Sequence, residues 1–204
     1  SVHSPVHRWM RTVLSAYPWN YFTIFLPILH AFVLYGVALE VFRILHDKNG
    51  VTRYYVGGAL GVDIWAAEIL LSLRKQPGYG DIKLIVAMPF ENYYSGWDEQ
   101  SKKRLLTIIR NASYCTTVGK EAGAVSYKKR NYFMVDHANF LLAVYDNDRK
   151  VRSGTGQTVN YALKKKCSIF FVHPDTAEIT RKVWPGILPS TREYVSFQNK
   201  ILVL

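Results

Sequence analysis

A chain of 204 residues with 49% hydrophobic side chains is long enough for one sizeable domain, and 14% aromatic content with mixed charge excludes a disordered polymer. The net charge of +11 is uneven: Lys and Arg stand 4 against 6 Asp and Glu over residues 51–100, but 10 against 4 over 101–150 and 8 against 3 over 151–204. Such a surface suits polyanions, yet solvated lysines on helix backs produce the same excess, so charge alone names no partner. Cys115 and Cys167 lie far apart in apolar runs without CxxC or metal-ligand spacing. They read as reduced core residues of a cytoplasmic protein, and metal catalysis has no support.

The first long feature runs from Trp19 to Leu39, 21 residues without a formal charge, enough to cross a bilayer. Asn20, Pro27 and His30 interrupt it, neither end carries a strong basic cluster, and no signal-peptide pattern is legible. It continues into "EVFRILHDKNG" with apolar residues at helical spacing. The expectation is a deeply buried helix of a soluble protein, with no membrane partner.

Short apolar runs then alternate with amphipathic ones. Residues 52–56 read as a strand closed by a glycine turn, and 62–75 as a helix with a narrow polar stripe. Residues 82–90 are a strand ended by Pro89, followed by a helix starting at Ser95 or Asp98 and by the strand "SYCTTV". A short helix "KKRNYFMVDHA", the strand 139–146, the loop "NDRKVRSGTG", the helix "QTVNYALKKK" and the strand 167–172 complete the series. This alternation predicts an α/β, Rossmann-like three-layer fold with a mainly parallel sheet flanked by helices. One domain over 1–172 is expected, its first 50 residues fitting least well, with 173–204 as a surface-wrapping extension.

In such a sheet the loops at the strands' carboxyl ends converge on one crevice. Gly57, Gly58 and Gly61 head the first of them; glycines permit positive φ and close approach, and N–H groups of the following helix face the crevice. Their spacing, GGxxGxD, is neither GxGxxG nor a Walker loop. A phosphate turn and a turn that needs glycine only for packing fit it equally. Asp63 either answers the helix dipole or, facing the crevice, accepts from ribose hydroxyls.

The ordered series "GGALGVDIWAAE", "KLIVAMPFE", "KKRNYFMVDHA", "LLAVYD" and "SGTGQTVNYALKKK" resembles the YpsA-like branch of the SLOG superfamily, which also holds the DprA/Smf DNA-processing proteins and the LOG-type phosphoribohydrolases. The resemblance covers about residues 50–172. It implies a Rossmann-like fold and a pocket for a nucleotide or nucleotide derivative such as ADP-ribose or NAD, with no cofactor specified. Carried over by position, the pocket is Gly57, Gly58, Gly61, Asp63, Pro89, Glu91, Arg130, Asn131, Asp136, Gly154, Thr155 and Thr158, with His7 and Arg8 as additions from "SPVHR". Arg130 has the fork geometry to grip a phosphate. Alternatively it is a solvated member of the run with Lys128 and Lys129, and Asp136–His137 an ordinary helix end.

Two departures matter. The family's opening strand and "TGHR" element have only a faint echo in residues 4–8. The LOG-type "PGGxGTxxE" glutamate is also missing: Thr158 stands where that carboxylate would be. A threonine cannot activate water or steady an oxocarbenium-like centre, so the expectation leans away from an enzyme. The leading reading is a binding module that senses or signals. The alternatives are a hydrolase of a nucleotide-derived N-glycosidic or phosphate bond, with Glu68 or Glu91 substituting, and a DprA-like protein that binds single-stranded DNA through basic charge and Tyr93, Tyr94, Tyr127 and Tyr132. Homo-oligomerisation stays open.

Overall fold

The computed structural model describes residues 22–146, 153–183 and 200–203. The chain divides into two compact units, 1–33 and 34–204. Of the first, residues 22–33 form the start of helix α1 (Phe22–Asn49). His7 and Arg8 lie outside the described residues.

The second unit carries the layered fold. Its elements after α1 are β1 (Arg53–Val56), α2 (Val62–Leu73), β2 (Lys83–Met88), α3 (Glu99–Asn111), β3 (Tyr114–Thr117), α4 (Ala124–Asp136), β4 (Phe140–Val144), α5 (Gly154–Lys164), β5 (Ser168–Val172), β6 (Ile179–Lys182) and β7 (Lys200–Val203). They build one sheet in the order β3-β2-β1-β7-β4-β5-β6, parallel except for β6, which pairs antiparallel with β5. Tyr54 sits opposite Leu84 on one side and Ile201 on the other, and Leu141 opposite Ile169 and Leu202.

The period-2 alternation of each strand sorts its side chains between two cores. Tyr54, Val56, Leu84, Val86, Phe140 and Leu142 pack on one face with α1, α2 and α3, through Phe42, Leu45, Ile64, Leu70, Leu105 and Ile108. Tyr55, Ile85, Ala87, Leu141, Ala143 and Ile169 pack on the other with α4 and α5, through Met134, Val135, Val159 and Ala162. The expected Rossmann-like three-layer arrangement is present. From Val41 onward α1 buries Val41, Phe42 and Leu45, and the buried Tyr54 hydroxyl donates to Phe42 O and Val51 O. Among the described residues no helix is long and apolar enough to cross a membrane.

The tail departs from the expected surface wrap. Its residues 200–203 enter the middle of the sheet, paired with β1 and β4. A four-residue segment is too short for alternation to stand out, and "KILV" offers no period to detect. The sheet position beside β1 is thus filled from the end of the sequence. The connections leave β7 in opposite directions, β1 to β2 on one side and β4 to β5 on the other, which makes its carboxyl end the topological switch point.

Candidate functional site: a glycine turn closed by an internal ion pair

The carboxyl ends of the parallel strands β1, β2, β3 and β4 lie at this edge of the sheet, and α2, α3, α4 and α5 follow them in turn. The turn after β1 is held from inside. Asp63, on the second residue of α2, accepts from Gly57 N at 3.1 Å and from Ala59 N at 3.0 Å. Both carboxylate oxygens are therefore engaged by backbone donors of the sort a bound phosphate would use. Behind Asp63 lies Arg130 of α4, Nη1 to Oδ2 3.6 Å, an ion-pair distance too long for a hydrogen bond. Both residues are buried, at 6% and 4% exposure. Burial pushes the Asp63 carboxyl upward, and the Arg130 charge and the two N–H donors pull it down, leaving it above the usual carboxylate range.

Two glycines make this possible. A Cβ on Gly57 would overlap the Arg130 guanidinium, so the arginine crosses directly over that Cα. Gly58 has φ 66°, and a Cβ there would come within 2.6 Å of the Tyr93 hydroxyl. That hydroxyl donates to Gly58 O at 2.7 Å, locking the turn to the loop after β2, and burial raises the Tyr93 phenol well above its ordinary range. Gly119 stacks its backbone against Pro89 and Ser126, with Gly119 N donating to Pro89 O at 2.8 Å.

Arg130 is more than a counter-ion. Its Nε and Nη1 are buried without a hydrogen-bond partner, as is Asn131 Oδ1 beside it in sequence. Buried guanidinium nitrogens are seldom left so. Around them, α2 and α4 open at Gly61 and Gly123 with no side-chain cap, whereas α3 and α5 are capped by Asp98 and Ser153. Phe90 and Tyr127 meet edge to face at 5.7 Å, and the Arg130 guanidinium lies 5.9 Å from the Tyr127 ring centre.

The remaining expected residues separate into groups. Asn131 Nδ2 donates to Thr158 Oγ1 at 3.0 Å, and that hydroxyl donates to Gly154 O at 2.8 Å; this fastens α4 to the start of α5, where Gly154 is exposed and Thr155 half-buried. Pro89 is buried and Glu91 exposed. Asp136 sits at the opposite end of α4. It accepts from Tyr161 and pairs with Lys165 at 2.7 Å, and although partial burial opposes its charge, these partners hold the carboxyl below the usual range. It is not brought to Asp63 or Arg130. Glu68 is gripped bidentately by Arg104, at 2.8 and 2.7 Å, across the outer groove between α2 and α3. Tyr132 stacks flat on Tyr161 at 3.8 Å and Tyr93 is buried, so the four tyrosines form no continuous stacking platform. Both cysteines are free thiols; burial raises Cys115 and pushes Cys167 up to about 12.

Residues 35–177 match the family model for YpsA, described as the YspA SLOG family. The chain belongs to this SLOG family. The chain is 30% identical over 128 residues to a UPF0398 protein of Bacillus thuringiensis (strain Al Hakam), 62% of this chain and 67% of that one. A UPF0398 protein of Bacillus cereus (strain Q1) matches to the same degree. A UPF0398 protein of Staphylococcus epidermidis (strain ATCC 12228) is 26% identical over 104 residues, and the chain spans about half of that relative, 54%. Gly119 and Gly123 were passed over by motif reading, and Tyr93, read there as a stacking ring, instead locks the glycine turn. The glycine pair flanking "KEA" after the third strand was the available signal for the first two.

Proposed function

We propose that this chain binds a phosphate-bearing nucleotide derivative, of the ADP-ribose or NAD type, in the crevice beside Arg130, and that it senses or signals rather than turning the ligand over. The observation that carries the reading is the buried Arg130, whose Nε and Nη1 have no hydrogen-bond partner although Nη1 stands at ion-pair distance from Asp63. Guanidinium N–H groups make charge-assisted hydrogen bonds to phosphate oxygens. The uncapped starts of α2 and α4 add N–H donors at the same edge. Asp63 takes a different part from the ribose acceptor: with both oxygens on the turn, it shapes Gly57–Ala59 and pairs with the buried Arg130.

The geometry supports the binding reading over glycosidic cleavage. Cleavage needs a carboxylate free to act at the anomeric carbon; Glu68 is held by Arg104 and Asp63 by the turn, which leaves the exposed Glu91 as the one such a reaction would have to use. A thermal-shift screen of nucleotides, ADP-ribose and NAD tests the proposal, with Gly58→Asp and Arg130→Gln as controls. A ligand that stabilises the wild type and neither control is the expected result. No stabilising ligand, or one that both folded variants bind equally, would refute it.

A further inference from the structure

A groove of about 520 Å³ runs between α2 and α3 on the outer face of the sheet, formed by residues that take no part in the crevice. Leu71 and the buried Ile108 are among its lining, along with polar Ser72, Gln100 and Thr107. Four cations line it, Arg74, Lys75, Lys103 and Arg104, against one carboxylate, Glu68. Arg104 neutralises Glu68, and Arg74 donates to Asn111 O at 2.9 Å at the carboxyl end of α3. Lys75 and Lys103 are exposed, and no hydrogen bond or ion pair of their ammonium groups is described; their hydrogen bonds run through the backbone, Lys75 N to Ser72 O and Thr107 Oγ1 to Lys103 O. Solvated lysines need no ligand, but here they flank a cleft with apolar side chains in its wall.

We infer that this groove docks an acidic peptide segment of a partner protein, its apolar side chains against Leu71 and Ile108 and its carboxylates toward Lys75, Lys103 and Arg74. The charge pattern names the chemistry, because an apolar strip with cations on both sides complements acidic residues alternating with apolar ones. The undescribed segments of this chain lack that pattern: 1–21 and 147–152 hold more Lys and Arg than Asp and Glu, and 184–199 holds one Arg and one Glu. A single nucleic-acid strand fits less well, since no aromatic ring lines the groove to stack a base.

The full chain would be used to select from a random peptide display library, and the enriched peptides measured by fluorescence polarisation beside a thymidine oligonucleotide. Peptides rich in Asp and Glu with interspersed apolar residues are expected. Binding should weaken at least about tenfold in the double variant Lys75→Glu/Lys103→Glu and persist in Lys75→Arg/Lys103→Arg. Both positions are exposed, so circular dichroism should report an unchanged fold. Enrichment of peptides without acidic excess, no enrichment, or binding indifferent to charge reversal would overturn the inference. Oligonucleotide binding lost on reversal, with no acidic peptide selected, would overturn it in favour of nucleic acid.

Discussion

Removing the charge of Asp63 without its shape tests the internal ion pair. In Asp63→Asn the side chain can still accept one backbone N–H, but its amide confronts the other donor, and Arg130 loses its counter-charge at 3.6 Å. At an effective dielectric of about 20 the pair is worth roughly 4–5 kcal/mol before desolvation. Stranding one buried partner typically costs about 3–5 kcal/mol. Urea unfolding of Asp63→Asn should therefore show a loss of about 3–4 kcal/mol, and Arg130→Met a comparable one. The double variant replaces a buried pair by neutral groups, so its loss should fall short of the sum by about 1–3 kcal/mol. A change within about 0.5 kcal/mol for Asp63→Asn, or strict additivity, would refute the pairing.

Two further predictions concern the frame around the site. Tyr93→Phe removes the 2.7 Å bond to Gly58 O and leaves a buried carbonyl unpaired; equilibrium unfolding should register a loss of about 1–2 kcal/mol, and none would show that the turn is held without it. His46, near the end of α1, bonds Asp47 and Asp81 at 2.9 Å each. Burial opposes its charge, but the two carboxylates outweigh this and raise its pKa. The folded pKa thus exceeds the unfolded value of about 6.5, so the stabilisation is complete below that value and disappears as pH rises through the folded pKa. His46→Gln should lower Tm more at pH 5.5 than at pH 9, by the equivalent of about 1 kcal/mol or less given the exposed carboxylates. An equal drop at both values would contradict the assignment.

The alternation of strands and helices was legible from β1 to β5 because helices whose apolar faces repeat at a different period separate these strands. The strand positions differ from the reading by only a residue or two, as at 53–56 and 83–88. β7 was illegible because a four-residue strand at the sheet centre is too short to show alternation. At the site, the GGxxGxD spacing marked the turn, but spacing cannot say which groups satisfy its N–H donors. That depended on Arg130, 67 positions after Asp63, crossing over Gly57. For the same reason Asp136 looked equivalent to Arg130 in "RNYFMVD", although six residues of helix carry it to the opposite end of α4.

The central claim is that the unpartnered nitrogens of Arg130 receive a ligand phosphate. Isothermal titration of the stabilising nucleotide derivative into the wild type and into Arg130→Lys tests it most directly, because lysine keeps the charge and loses the fork. The account predicts binding at least about tenfold weaker in Arg130→Lys, consistent with loss of charge-assisted guanidinium hydrogen bonds, with circular dichroism unchanged. Equal affinity in the two proteins would contradict it.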